Sequence, residues 1–212
     1  MTITLHHLNN SRSFRIAWAL EELGADYELV KYQRTAAMLA PKEMKEIHPL
    51  GKSPILVDGD QTLVESQCIL THLSHKFEGR LSADQEQPYF WLTYCESSIM
   101  PYLVMGLVNK TAIQKSPRLF RPILRKFTDG IASMLSTPSL REGLSYINDY
   151  LTHHEYLSDN DEFGIADIQM EFAIQGAEHS GIALDQMPAL QRWYQQINQR
   201  DAYQRALERA GR

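Results

Sequence analysis

A small mixed α/β domain joined to an all-helical domain is the fold class this sequence predicts. Two observations carry it. Across residues 1–79 the apolar spacing switches repeatedly between alternation and helical periodicity, and after Gly79 the strand signals stop. The stretch "FEGRLSA" reads as the linker, which divides the chain into 1–78 and 84–212.

The elements follow in order. "TITLHHL" (2–8) alternates and is β-branched, so it predicts a strand. His6 and His7 lie in it, and one of them must point inward. "SRSFRIAWALEELG" (11–24) has helical spacing, with Phe14, Ala17, Trp18, Leu20 and Leu23 on one face. Ser11 or Ser13 can cap its start, and Gly24 suits the position just past its end. "DYELVKY" (26–32) alternates again, and "APKEMKEIH" (40–48) predicts a short helix ending before Pro49. Pro54–Asp58 and Gln61–Val64 read as two short strands joined at Asp58-Gly59-Asp60. Residues 65–77 are helical, with Cys68 on the expected buried face. Strand, helix, strand, short helix, hairpin and helix together make a small sheet covered by helices. Beyond the linker only helices are predicted: 84–109, broken or kinked at Pro101, then 117–135, 139–154, 165–180 and 188–208. Pro117, Pro138 and Pro188 fall at or near first turns, where proline is tolerated.

Composition removes several functional classes. At 212 residues, 43% hydrophobic and 22% charged, the chain has the make-up of a soluble globular protein. A net charge of −5 without a Lys/Arg run argues against a broad nucleic-acid surface. Charges interrupt every apolar stretch before membrane-spanning length. "MTITLHHLNN" lacks the basic start and apolar core of a secretory signal. The cysteines Cys68 and Cys95 have neither disulfide-scaffold nor metal-site spacing, which predicts a reducing, cytoplasmic setting and no metal.

Pro54 raises a question, because proline donates nothing to a sheet ladder. From the residues alone it merely starts an edge strand, or it marks a backbone edge reserved for something else. Three segments decide which to expect: "NSRSFRIAWALEELG", "IHPLGKSPILVDGDQTLVES" and "FGIADIQMEF". In this order and at these separations the chain resembles the cytosolic glutathione transferases, in wording closest to bacterial and fungal members. The resemblance spans essentially the whole chain. It implies a thioredoxin-like N-terminal domain, an all-helical C-terminal domain and a homodimer. It further implies a cis Ser53–Pro54 bond, which leaves the Ser53 backbone free to pair with the cysteinyl unit of glutathione.

The resemblance also distributes roles. Glu65 and Ser66 open a helix whose N-terminal N–H groups attract a carboxylate, so Ser66 would hold the γ-glutamyl end and Glu65 its ammonium. Plain helix capping is the alternative for both. Lys52 would neutralise the glycine carboxylate, or is simply a solvated lysine. The thiol of glutathione would be activated from the turn before the first helix, with the catalytic place falling on Asn10 or Ser11. That turn contains no tyrosine, and no cysteine occurs before Cys68, so the ligand's thiol must be the one activated. Tyr102 and Met105 would line an apolar electrophile pocket, unless their stripe is bundle core. The implied activity is transfer of glutathione to a small hydrophobic electrophile, or its use against a peroxide. A non-catalytic glutathione-binding or regulatory protein on the same fold is the alternative. Finally, related proteins usually carry serine or threonine where Gly164 stands, three residues before Asp167. Gly164→Ser is therefore expected to raise the melting temperature slightly.

Overall fold

In the computed structural model, which describes residues 2–81, 86–158 and 162–211, four strands form one sheet of order β2-β1-β3-β4. They are β1 (Ile3–Leu8), β2 (Tyr27–Tyr32), β3 (Ile55–Asp58) and β4 (Gln61–Val64). β1 pairs parallel with β2 and antiparallel with β3, which pairs antiparallel with β4. Alternation in β1 sends Ile3, Leu5 and His7 inward; His7 is the buried histidine of the pair. The linker "FEGRLSA" and the expected helix start at 84 fall partly or wholly on residues 82–85, which lie outside the described residues.

α1 (Ser13–Leu23) ends as the sequence requires. Gly24 is left-handed at φ 62°, its N–H reaches the Glu21 carbonyl, and the Ala25 N–H reaches that of Leu20. Its burial exceeds the expected single face, since Arg15, Ile16 and Ala19 are buried too. The helix is sandwiched: the sheet lies on one side, and two later helices, α8 (Ile165–His179) and α10 (Asp201–Ala210), lie on the other. Trp18, fully buried, meets the Tyr203 ring edge-on at 4.9 Å and the Phe163 ring at 5.3 Å. Burying such a ring contributes about 2–3 kcal/mol. The short helix α2 (Met44–Ile47) and α3 (Ser66–Lys76) complete the sheet domain. Ile69, Leu70 and Leu73 form the inner face of α3, and Cys68 lies outside it, exposed, contrary to expectation.

The helical part departs from the sequence reading in three places, each with a physical cause. α4 (Glu86–Tyr94) runs through a π-helical turn, Cys95–Ile99, into α5 (Met100–Lys115). α6 (Arg121–Ile131) likewise runs through a π turn, Ala132–Ser136, into α7 (Thr137–Leu151). A proline clashes with the carbonyl four residues earlier and has no N–H to give it. For Pro101 that carbonyl is Ser97's and for Pro138 it is Met134's, and each sits in the middle of a π turn. Widening the turn accommodates the ring without ending the helix. So Pro101 marks an irregular turn as expected, but Pro138 separates no helices.

The expected helix 188–208 is two: α9 (Pro188–Asn198) and α10. Arg200 is extended at φ −63°, ψ 136°. α9 turns Leu190, Trp193 and Ile197 into the helical core, whereas α10 turns Tyr203 and Ala206 onto α1. One straight helix cannot aim both faces this way, and Asp201 favours the new N-terminus electrostatically.

Asp167 is fully buried in the first turn of α8. Its carboxylate accepts from the backbone N–H of Leu157 and Gly164, both at 2.9 Å, from Trp193 Nε1 at 2.7 Å and from Ser158 Oγ at 3.3 Å. Ser158 fills the space beside Gly164 and adds a hydroxyl donor to the carboxylate. A Cβ on residue 164 would collide with the Ser158 hydroxyl and stand 2.7 Å from the Leu81 carbonyl. The expectation of a stabilising Gly164→Ser is therefore reversed. Overpacking of this kind costs about 1–3 kcal/mol, so the substitution should lower the melting temperature by several degrees. An unchanged or higher midpoint in a calorimetric scan would refute this.

Candidate functional site

The cleft is built where β1 ends and α1 begins. Asn10 is left-handed at φ 50°, a conformation asparagine tolerates, and its side chain is exposed. Arg34 anchors this turn from the strand-β2 side: it donates to the carbonyls of Asn9 and Asn10 at 3.1 and 2.8 Å, while its own N–H reaches Asn9 Oδ1 at 2.8 Å. Ser11 is nearly buried. Its hydroxyl lies 2.8 Å from Ser13 Oγ and 3.0 Å from Ser53 Oγ, and it accepts the Ser13 N–H at 3.2 Å. Ser11 therefore caps the helix start while facing the loop that carries Ser53.

The Ser53–Pro54 bond is cis. Outside the helices and strands, no backbone hydrogen bond among the described residues involves the N–H or C=O of Ser53. Lys52 beside it is exposed. At the N-terminus of α3, Glu65 is exposed and held at φ 67°, ψ 125°, a left-handed backbone that costs about 1–3 kcal/mol in a residue bearing a Cβ. Ser66 follows it, buried, and its Oγ has no hydrogen-bond partner among the described residues. A strained residue followed by an unsatisfied buried hydroxyl at a helix N-terminus is an arrangement that an anion completes.

Two arginines link this cleft to the helical part. Arg12 Nη2 lies 3.2 Å from Glu96 Oε2, and the fully buried Arg15 Nη1 lies 2.7 Å from Glu96 Oε1. Gln169 donates to the same carboxylate at 2.9 Å, and the Arg15 guanidinium sits 5.1 Å from the centre of the Phe172 ring. Phe172 also lines a cavity of about 490 Å³ between α5 and α8, with Met100, Leu103, Val104 and Leu107 on its other wall. That volume suits a small-molecule pocket. Tyr102 and Met105 are not on its walls. They project from other sides of α5, and the Met105 sulfur accepts from Ser136 at 3.3 Å. Nothing local marks Arg12, Arg15 or Glu96 as partners, because Arg15 and Glu96 lie 81 positions apart in the chain. The Cys95 thiol, buried beside them, is pushed up to about 12 by burial, which keeps it a protonated, unreactive group. Among the described residues no cluster of His, Cys, Asp or Glu is placed to hold a metal ion, and no helix is long and apolar enough to cross a membrane.

A parallel-plus-antiparallel four-stranded sheet with a cis-proline loop, carried beside a helical bundle, defines a thioredoxin-like domain fused to an all-α domain. Residues 1–75 match the family described as "Glutathione S-transferase, N-terminal domain", and residues 83–201 match "Glutathione S-transferase, C-terminal domain". Glutathione S-transferase 3 of Schizosaccharomyces pombe is 36% identical over 98% of this chain and 87% of its own length. Glutathione S-transferase 1 of Saccharomyces cerevisiae is 32% identical over 98% of this chain and 95% of its own. A solved glutathione S-transferase from Actinobacillus pleuropneumoniae is 28% identical and superposes with a TM-score of 0.74, covering 99% of this chain and 93% of that one. The chain belongs to the glutathione S-transferase family.

Proposed function

We propose that this protein binds glutathione as co-substrate in the cleft between Ser53 and Ser66, and that it activates the thiol from Ser11 for attack on a small hydrophobic electrophile. The observation that carries this is the pair of unsatisfied groups: the free main-chain edge of Ser53 beside Ser11, and the partnerless buried hydroxyl of Ser66. The tripeptide's cysteinyl backbone suits the first, and its γ-glutamyl carboxylate suits the second, with Glu65 receiving the ammonium. Lys52 is in reach of solvent near the clamp and suits the glycine carboxylate.

A free thiol of this type ionises near pH 8.5, so only a few per cent is thiolate at neutral pH. A hydroxyl donating to the sulfur at the N-terminus of α1 stabilises the charged form. Of the two candidates, Ser11 rather than Asn10 is supported, because its hydroxyl already contacts the Ser53 side chain. The apolar cavity between α5 and α8 suits the electrophile, in place of the pocket expected from Tyr102 and Met105. The thiolate lone pair forms the new bond from sulfur to the electrophilic centre as the bond from that centre to its leaving group breaks, and the leaving group departs as an anion with the electron pair. With a peroxide, the same thiolate would attack one oxygen, the O–O bond would break to release an alcohol or water after protonation, and a second glutathione would displace water from the resulting sulfenic acid to give the disulfide. We further propose a homodimer, with a second copy covering exposed apolar side chains such as Ile123 and Phe127, which lie four apart on α6. The free thiols of Cys68 and Cys95 suit a reducing cytoplasm.

The test is direct. Calorimetry should register glutathione binding, and thiolate absorbance should show the bound thiol ionising below its free value. Binding without that shift would leave a glutathione-binding protein that is not a transferase; no heat at all would end the proposal. Sedimentation equilibrium on the same sample should return twice the chain mass, and a monomer would dismiss the dimer.

A further inference from the structure

Behind Ser11 lies a short chain of polar groups that reaches His7. His7 Nδ1 is 2.9 Å from Ser13 Oγ, which is 2.8 Å from Ser11 Oγ. All three side chains are buried, Ser13 completely and His7 to within 2%. Ser13 Oγ also accepts the Leu8 N–H at 3.2 Å, and lies 3.3 Å from the Leu8 carbonyl. On the far side of the imidazole, Nε2 has no hydrogen-bond partner among the described residues. Burial, helped by Lys31 across the parallel β1–β2 pairing, pushes His7 down to about 4, so the ring is neutral and carries one proton.

Where that proton sits decides what Ser11 can do. A hydroxyl has one proton to donate and two lone pairs to accept with. Suppose the proton were on Nε2. It would be a buried N–H with no acceptor, which is among the rarest and costliest arrangements in a folded protein. Nδ1 would then take the Ser13 proton, and Ser13 would in turn take the Ser11 proton. Ser11 would be left without a hydrogen for anything in the cleft. With the proton on Nδ1 the chain runs the other way. His7 donates to Ser13, whose lone pairs are then filled by His7 and the Leu8 N–H. The one Ser13 hydrogen can go to the Leu8 carbonyl or to Ser11, but with both Ser13 lone pairs filled it cannot accept from Ser11. Ser11, which accepts the Ser13 N–H, can then point its own hydrogen only outward, toward Ser53 and the cleft.

We propose that His7, held as its Nδ1–H tautomer and acting through Ser13, is a positioning residue that aims the Ser11 hydrogen at the glutathione sulfur. His7 touches no substrate; it sets the direction of the one donor that does. The proposal rests on the glutathione reading above, but one of its tests does not.

The independent test is nitrogen-15 NMR of the histidine-labelled protein without ligand, with the His7 signals assigned by their loss in His7→Asn. The expected pattern is a protonated Nδ1 and an unprotonated Nε2; a protonated Nε2 overturns the proposal whatever the protein binds. The second test uses glutathione. His7→Leu removes the donor, whereas the amide of His7→Asn can present N–H at the place of Nδ1. His7→Leu should lower the thiolate fraction of bound glutathione, and with it kcat at neutral pH, roughly tenfold, because one hydrogen bond to a charged sulfur is lost. KM for glutathione should stay within about twofold, and His7→Asn should restore most of kcat. His7→Phe, which keeps a ring in the buried site but likewise has no donor, should repeat the effect and carries the test if His7→Leu fails to fold. Unchanged thiol ionisation in a folded His7→Leu or His7→Phe overturns the proposal. If wild-type protein binds no glutathione, it is the functional reading that fails, and the tautomer result still stands or falls by itself.

Discussion

Asp167→Ala should unfold at a free energy about 3–5 kcal/mol lower than the wild type, the largest loss expected from any single substitution described here. The carboxylate gathers four donors from three separate places: Leu157 and Ser158 on the incoming loop, Gly164 at the helix start, and Trp193 on α9. Alanine leaves all four facing a small void, and a buried donor without an acceptor costs about 1–3 kcal/mol. Some will relax toward one another, which keeps the total below their sum. Urea denaturation followed by fluorescence measures it, and a loss under about 1 kcal/mol would show the site to be dispensable. The pH dependence supplies a second check. Burial pushes the Asp167 carboxyl up to about 6 despite its hydrogen bonds. Because the native pKa is raised, the folded chain holds this proton more firmly than the unfolded chain. Stability contributed by protonation is full below the unfolded value of 3.8 and is lost as pH climbs through about 6. Wild type should therefore lose ground against Asp167→Asn between those limits and hold a constant difference above them.

Ser11→Ala should reduce kcat for glutathione transfer about 100- to 1000-fold, as removal of a single donor to a developing or resident anion does elsewhere. Glutathione affinity should change little, because the Ser53 edge and the Ser66 anion site remain. Ser66→Ala should do the opposite, weakening binding first. Asn10→Ala should do neither, since its side chain is exposed and its contribution to the turn is the carbonyl that Arg34 holds. The measurement is steady-state kinetics with a chromogenic electrophile, paired with calorimetry. A larger loss from Asn10→Ala than from Ser11→Ala would transfer the role to Asn10.

Much of this was legible in the sequence because local signals carry it. Alternation in 2–8 and 26–32, the left-handed Gly24, and the proline opening β3 each act through the backbone of their own few residues. What escaped notice depends on distant partners. Nothing at Gln199-Arg200 marks a break; the division of α9 from α10 comes from two packing targets at different angles. Ser158 and the Leu81 carbonyl occupy the space beside Gly164, which the family pattern at this cap does not reveal, and the expected sign for Gly164→Ser reverses for that reason. The cavity wall follows the Met100, Leu103, Val104 and Leu107 stripe, and only the position of α8 distinguishes that stripe from the one bearing Tyr102 and Met105. Cys68 misled for the same reason, since its neighbours on α3, not its own chemistry, decide which face is inside.

Glu96 ties together what the chemistry keeps apart. One carboxylate grips an arginine next to Ser11 and another that rests on the Phe172 ring. The Ser11 turn and the apolar cavity are thereby braced against a common strut. If that cavity receives the electrophile as proposed, exchanging the exposed Val104 or Leu107 should alter which electrophiles are accepted while leaving thiol ionisation at Ser11 unchanged. Selectivity and reactivity would then be separately adjustable, one on the helices and the other at the sheet.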